Sequence, residues 1–439
     1  MKILRGINKR NNVLKHVTLD GVRIHLKTDE NKLWVNGYYI LHLNNTANFI
    51  LSSFIDSCYE VPQNKVFQHT ISKTKGKYKK VKTETLEKDL HQMIGIINSF
   101  ARNEIPTHLV GMKEIRDSDV KAPNRMDLSL TYECDNKCSH CYLPENADSK
   151  GRLSTEEWKT IIDKLWKIGI PQIVFTGGEC TMRKDLIELI SHSKQFATGV
   201  ISNGTLINTK MAKDFIEAEL DWIQITLETY KENVHDKMQG RKNAFNETVK
   251  GIKNCVEAGL QVSINATLTK RNYRDLKGLI DFAKQLGVGI VSTNAIISTG
   301  RGKEKKSTDG LPEEILEEIL KEGKEYAEKS GIIFNWFLPS CYKQLNPIEL
   351  GFGQRCCSAC QINMMIEPNG DVIPCQSWTH EKLGNILEDS WESIWNSKIA
   401  KKIRNNEYAD EECMKCEFFN MCKGGCPLDE ENRMCKKAI

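Results

Sequence analysis

Between residues 126 and 305 the apolar positions follow two alternating rhythms. Short dense runs read as strands: MDLSLTY (126–132), QIVFTG (172–177), TGVISNG (198–204), WIQITL (222–227), QVSINATL (261–268) and GIVSTNAI (289–296). Between them, stretches such as STEEWKTIIDKLWKIG and NAFNETVKGIKNCVEAG place apolar residues at helical spacing. Repeated strand–helix units predict a parallel sheet. Six such units fall short of the eight of a closed barrel, so the expectation is an α/β fold built on a partial (β/α)6 TIM-type barrel. Its reactive residues should then sit where strands end.

The flanks read differently. Residues 1–108 open with three strands, GVRIHLKT, KLWVNG and YYILHL, followed by the helix LNNTANFILSSFIDSC with Asn45 or Thr46 as its cap. After the lysine-rich SKTKGKYKKVKT (72–83), expected as a solvated loop, TETLEKDLHQMIGIINSFAR repeats apolar residues at Leu86, Leu90, Met93, Ile97 and Phe100. Strands then helices predict a small winged-helix-like α+β module. Residues 109–125 read as a linker and 126–310 as the barrel. In 311–439 a Lys/Glu-rich helix, LPEEILEEILKEGKEYAEKSG, leads into a loop-rich, cysteine-dense segment.

Composition narrows the chemistry. With 62 basic and 58 acidic side chains the net charge is +4, which gives no reason to expect a nucleic-acid partner. No run approaches the length of a membrane span, and the N-terminal stretch has no apolar h-region, so the expected location is the cytoplasm. The 16 cysteines are the unusual number, and ten of them lie between Cys341 and Cys435. Clustering of that kind, without an export signal, points to metal or redox chemistry rather than to disulfides.

The loop YECDNKCSHCYLP (132–144) sets Cys134, Cys138 and Cys141 directly after the first barrel strand and supplies no fourth thiol. Spacing alone leaves two readings: a structural zinc with a distant fourth ligand, or a [4Fe–4S] cluster with one iron free of protein. The C-x₃-C-x-Φ-C pattern, with His140 at the Φ position, resembles the defining loop of the radical SAM superfamily. That resemblance implies an open iron that chelates the amino and carboxylate groups of S-adenosylmethionine. The cofactor is then cleaved to methionine and a 5′-deoxyadenosyl radical that abstracts a substrate hydrogen. It also implies cofactor contacts from Gly177, Gly178 and Glu179, from Ser202 and Asn203, and from Gln224, Thr226 and Glu228, all at successive strand ends. Each is weak alone. This chain departs from the family at Cys180, where proline is usual. Asn265, Thr267 and Arg301 are softer candidates, and Cys58 and Cys255 read as core residues.

The tail runs Cys357-x₁₂-Gly370-x₄-Cys375, then Cys413-x₂-Cys416-x₅-Cys422-x₃-Cys426 and Cys435. It resembles the SPASM extension, which holds two auxiliary [4Fe–4S] clusters and would bring the total to three. The resemblance implies an outer cluster on Cys413, Cys416, Cys422 and Cys435, and an inner one on Cys357, Cys375 and Cys426. Cys360, Cys356, Cys341 or an open site completes the inner one, with Cys360 favoured. Two zinc sites are the plain alternative.

In the front module, YYILHLNNTANFIL resembles the strand-to-helix corner of the RiPP recognition element, which grips the leader of a ribosomally made precursor peptide. Strand 38–43 is the expected dock, with the helix at 84–101 as the other wall. Together the resemblances imply a peptide-modifying enzyme that installs a thioether or carbon–carbon cross-link, with a reductant such as ferredoxin or flavodoxin. Peptide epimerisation, maturation of a folded protein and a non-enzymatic iron–sulfur scaffold are the competing readings. No catalytic base is legible.

Overall fold

The computed structural model describes residues 3–4, 14–19, 22–35, 39–101, 121–144 and 151–429. The N-terminal strands β1 (Ile3–Leu4), β2 (Leu14–Leu19), β3 (Val22–Lys27), β4 (Lys32–Val35) and β5 (Tyr39–His42) form one antiparallel sheet in chain order. Helices α1 (Asn45–Glu60), α2 (Val66–Lys77) and α3 (Thr83–Ala101) follow. Val17, Ile24, Leu26 and Leu33 of the sheet pack with Ile50, Phe54, Leu86 and Leu90 of the helices. Apolar residues alternating along the strands thus meet apolar residues three or four apart on the helices.

Three expectations change here. The cap of α1 is Asn44, whose side chain accepts from the Ala47 N–H, one residue earlier than expected. Much of the lysine-rich run is not a loop but the end of α2, where Thr70 and Thr74 hydroxyls donate back into the helix and Ile71 is buried. The sheet also has β1 and β2, which the three expected strands do not include. β5 is an edge strand, paired only with β4 among the described residues.

The module docks on the barrel through β3. Arg23 donates to the Lys194 and Phe196 carbonyls (2.7 and 3.3 Å) and pairs with Asp221 at 3.2 Å. His25 donates from Nδ1 to Gln195 O at 3.3 Å and stacks on His16 at 5.7 Å. Burial, with charge on His25 and Arg23, pushes His16 down to about 3, and burial lowers His25 as well. Burial alone would raise the Asp221 carboxyl, but Arg23 and His25 outweigh it and hold it low.

This junction makes an acid-sensitive element. An unfolded histidine titrates near pH 6.5, whereas folded His16 stays neutral to about pH 3. The unfolded chain therefore binds the extra proton throughout that window. Stability is full above pH 6.5 and falls as the pH drops, by about 1.4 kcal/mol for His16 at pH 5.5. Urea midpoints at pH 7.5 and 5.5 check this, and His16→Gln should shrink the difference. An equal pH dependence in that variant would refute the assignment.

The large sheet contains the six expected parallel strands, β6 (Arg125–Ser129), β7 (Gln172–Thr176), β8 (Ala197–Ser202), β9 (Trp222–Thr226), β10 (Gln261–Leu268) and β11 (Ile290–Ala295). The intervening helices are α4 (Thr155–Ile168), α5 (Leu186–His192), α6 (Thr209–Glu217), α7 (Glu232–Gln239), α8 (Ala244–Glu257) and α9 (Leu276–Gln285). β7 is buried along its whole length, as a parallel strand covered on both faces should be. α4 begins with a Ser154/Glu157 capping box and ends at Gly169 in the left-handed region.

The sheet does not stop at six. Beyond β11, α10 (Gly300–Asp309) and α11 (Glu313–Ser330) lead to β12 (Ile333–Trp336), which pairs parallel to β11. At the other edge β13 (Asn363–Ile366) pairs parallel to β6, and β14 (Asp371–Ile373) and β15 (Gly384–Asn385) continue antiparallel. The cysteine-dense region is thus stitched to the barrel by main-chain hydrogen bonds. It continues through short helices at Trp391–Trp395, Lys398–Arg404, Glu411–Met414 and Phe419–Cys422.

Candidate active site

The chain leaves β6 into the irregular segment that carries Cys134, Cys138 and Cys141. Irregular backbone needs partners outside itself, and three neighbouring turns supply them. Gly178 and Glu179 N–H groups, after β7, donate to Thr131 O and Glu133 O (2.7 and 2.8 Å). Lys137 and Ser139 N–H groups donate to Gln239 O and Met238 O at the end of α7 (2.9 and 3.0 Å). From α10, Gly302 N–H donates to Cys141 O and the Arg301 guanidinium to Cys138 O (3.1 and 2.9 Å). Arg301 is therefore a brace of the loop, not a loose surface residue.

These contacts are close enough to demand glycine. A methyl at Gly177 would run into Thr131 O, at Gly178 into Glu133 O, at Gly240 into Lys137 O and at Gly300 into the Tyr142 and Leu143 carbonyl region. Gly177 and Gly240 also have φ values of +145° and +63°. The Gly177-Gly178 pair thus lets the cysteine loop approach the end of β7.

The three thiols face a cavity of about 550 Å³ at the strand ends, within the range of about 300–1,000 Å³ typical of small-molecule sites. His140, Gly177, Gly178, Ser202, Asn203, Gln224 and Thr226 also line it, as do the softer candidates Asn265, Thr267 and Arg301. On the wall, Asn265 Oδ1, Asn294 Oδ1 and His140 Nδ1 are buried without a hydrogen-bond partner. Such atoms call for a polar ligand. Burial, with charge on Cys141 and Cys134 next, pushes the Cys138 thiol well above its ordinary range. The three sulfurs therefore act on one another, and ligation by iron would remove their protons. Among the described residues, no three His, Cys, Asp or Glu side chains converge on a single ion. The residues fit an iron–sulfur cluster with a polar cofactor beside it.

Two expected cofactor residues stand behind the wall instead. Glu179 is buried and accepts from the Thr181 N–H and hydroxyl, the Ser202 hydroxyl (2.8 Å) and the Asn203 N–H (2.7 Å). It ties the end of β7 to the end of β8. Glu228 pairs with His140 Nε2 at 3.0 Å and accepts from Gln239 Nε2 (3.1 Å) and the Thr267 N–H (2.8 Å). Gln239 in turn accepts from Asn136 and from the Cys138 thiol (3.0 and 2.9 Å). Glu228 thereby orients His140 and, through Gln239, Asn136 of the cysteine loop. Asp135, Asn136, Gln239 and Arg241 were not legible as site residues, because their partners arrive from other strand ends.

The C-terminal cysteines fall into two groups. Burial and then charge on Cys426 push Cys375 up to about 12, and Cys360 acts on it as well. Cys357 is raised by burial, Cys426 and Cys375. Cys413 is raised by burial and by Cys422 and Cys416. Cys360 acts on Cys375, and Cys356 acts on Cys357, so both neighbour the inner group. Cys341 is disulfide-bonded, and Cys435 lies outside the described residues. Gln376, next to Cys375, reaches the cavity wall, so the inner group adjoins the site. Cys58, Cys180 and Cys255 are buried core residues; the Cys180 sulfur lies 3.5 Å from Ile201 O.

A thiol-lined cavity at the strand ends of a parallel α/β sheet, with a cysteine-dense extension on its edge, defines a cluster-bearing enzyme of the radical SAM type. Residues 128–283 match the Radical SAM superfamily and residues 356–417 the SPASM iron–sulfur cluster-binding domain. The chain is a radical SAM/SPASM enzyme, a class that implies S-adenosylmethionine, a [4Fe–4S] cluster and auxiliary iron–sulfur binding. It is 29% identical over 339 residues to the Fe-coproporphyrin III synthase of Methanosarcina barkeri, covering 67% of this chain and 81% of that protein. It is 28% identical over 351 residues to the subtilosin biosynthesis protein AlbA of Bacillus subtilis, covering 77% and 73%. The structure of Streptococcus suis SuiB bound to its precursor peptide SuiA shares the fold, with a TM-score of 0.64, 17% identity and coverage of 95% and 94%. No helix among the described residues is long and apolar enough to cross a membrane.

Proposed function

We propose that this enzyme installs a thioether or carbon–carbon cross-link in a ribosomally made precursor peptide held through its leader by residues 1–108. The observation that carries the reading is the edge position of β5, paired only with β4 among the described residues, on a module anchored to the barrel at Asp221. An extended peptide can add to such an edge by main-chain hydrogen bonds. The likeness to SuiB, solved with a precursor peptide, spans 95% of the chain and so includes this module, and AlbA serves bacteriocin synthesis.

In this reading Cys134, Cys138 and Cys141 hold the first cluster. Cys413, Cys416, Cys422 and Cys435 hold the outer auxiliary cluster, and Cys357, Cys360, Cys375 and Cys426 the inner one. When bound, S-adenosylmethionine supplies the 5′-deoxyadenosyl radical that takes a substrate hydrogen. His140, Gly177, Gly178, Ser202, Asn203, Gln224 and Thr226 form its wall, while Glu179 and Glu228 hold that wall in shape. An inner cluster beside Gln376 suits acceptance of the electron that bond formation releases, which favours cross-linking over epimerisation. A ferredoxin or flavodoxin in the cytoplasm serves as reductant. The likeness to Fe-coproporphyrin III synthase favours a second reading, a tetrapyrrole substrate, which gives the N-terminal module no task.

Removing residues 1–108 tests the choice. Turnover of the full-length precursor, followed by mass spectrometry, should be lost, while 5′-deoxyadenosine still forms without substrate. Unchanged precursor turnover would remove the leader reading.

A further inference from the structure

Asp135 sits between Cys134 and Cys138 in sequence but is not on the cavity wall. Its carboxylate serves the neighbouring turns. Oδ1 accepts from Asn203 Nδ2 at 2.7 Å, and Oδ2 accepts from the Thr205 hydroxyl at 2.6 Å and from Arg241 Nη1 at 2.5 Å. Arg241 also pairs with Glu247 at 2.5 Å. One carboxylate thus joins the loop after β6, the turn after β8 and the α7–α8 turn that follows β9.

The consequence falls on Asn203, which does line the cavity. Its Oδ1 accepts from the Thr205 N–H (2.9 Å) and shares the single proton of the Thr205 hydroxyl (2.7 Å) with Asp135, and its backbone carbonyl accepts from the Thr248 hydroxyl (2.8 Å). Its Nδ2 lies 4.0 Å from the Cys134 sulfur. An asparagine amide can present either end to a partner. Asp135, an acceptor only, fixes Nδ2 toward the cysteine loop and Oδ1 toward Thr205. The atoms that the Ser202-Asn203-Gly204 turn offers the cavity are therefore set from the cysteine loop.

We propose that Asp135 is a positioning residue that couples the seating of the first cluster to the shape of the cofactor pocket on the β8 side. The proposal rests on the assignment of Cys134, Cys138 and Cys141 to that cluster. It predicts an effect on cofactor binding, separate from cluster retention: a pocket whose Asn203 is no longer oriented loses preorganisation, while the three thiols remain.

The test uses the full-length, reconstituted enzyme. Iron and labile sulfide report the clusters. Titration of S-adenosylmethionine against the electron paramagnetic resonance signal of the reduced first cluster reports binding. Asp135→Ala should keep wild-type iron and bind the cofactor roughly tenfold to a hundredfold more weakly, the scale of charge-assisted hydrogen bonds. KM for the cofactor should rise with kcat for its cleavage nearly unchanged. Asp135→Asn, which keeps one acceptor for Asn203, should fall between. Thr205→Val removes a second link of the same network. Because both act on Asn203, the double variant should lose less than the product of the two single losses. Wild-type affinity in Asp135→Ala, multiplicative losses in the double variant, or loss of the cluster from both Asp135 variants would each overturn the proposal. If the wild-type signal itself ignores the cofactor, the cluster assignment fails and takes the proposal with it.

Discussion

Cys138→Ala is expected to abolish S-adenosylmethionine cleavage while the C-terminal region keeps its iron. Only three thiols reach the cavity from the loop, so no spare sulfur can replace one of them. The backbone at Cys138 is held without its sulfur, by the Arg301 guanidinium on its carbonyl and by the flanking Lys137 and Ser139 N–H groups on the Gln239 and Met238 carbonyls, so it stays in place after the sulfur is gone. The loss should therefore be of the cluster and not of the fold. Chromatography for 5′-deoxyadenosine and iron analysis read the two separately. Cys255→Ala is the control: buried in the main core and away from the cavity, it should lower stability and leave cleavage intact. Cleavage above background by Cys138→Ala would refute the cluster assignment.

Gly177→Ala is expected to destabilise the enzyme by about 2–4 kcal/mol and to empty the first cluster. Two effects add. The φ of +145° is one that L side chains rarely adopt, and the new methyl would meet the Thr131 carbonyl, which is backbone and cannot turn aside. Gly259 separates them, because its φ is +88° but nothing lies within 4 Å of a methyl there. Gly259→Ala should cost only about 1 kcal/mol of backbone strain and retain full iron. Thermal melts and iron content on both variants make the comparison. Equal losses would show that close approach of the cysteine loop is not what Gly177 serves.

The six central strands were legible because each is a short run rich in apolar and β-branched residues, two of them closed by Gly or Asn-Gly, and QVSINATL spans the same residues as β10. β12 and β13 were missed because four residues such as IFNW or NMMI carry no period. The lysine run misled in the opposite direction. Its charges read as loop, yet Val66, Thr70, Ile71 and Thr74 form a buried stripe that fixes a helix. At the site, strand-end position is what the candidates lining the cavity share. Position could not tell that Glu179 and Glu228 would turn inward, since that depends on donors 23 to 39 residues away. Asp135 and Gln239 were silent for the same reason: their partners are local in space and remote in the chain.

The docking of the N-terminal module has a consequence for the length of the substrate. Arg23 and His25 meet the barrel where β8 and β9 begin, at Phe196 and Asp221, whereas the cavity opens where those strands end, at Asn203 and Thr226. The six residues of β8 set these two ends apart, roughly 20 Å at strand rise. In the proposed reading, a leader held by this module starts from that far side of the barrel, and the segment joining it to the modified residues has a span of this order to cover. An extended chain needs about six residues to do so, and more to follow the curve of the barrel. The module would then work as a ruler, choosing its target by distance along the peptide as well as by what the cavity accepts.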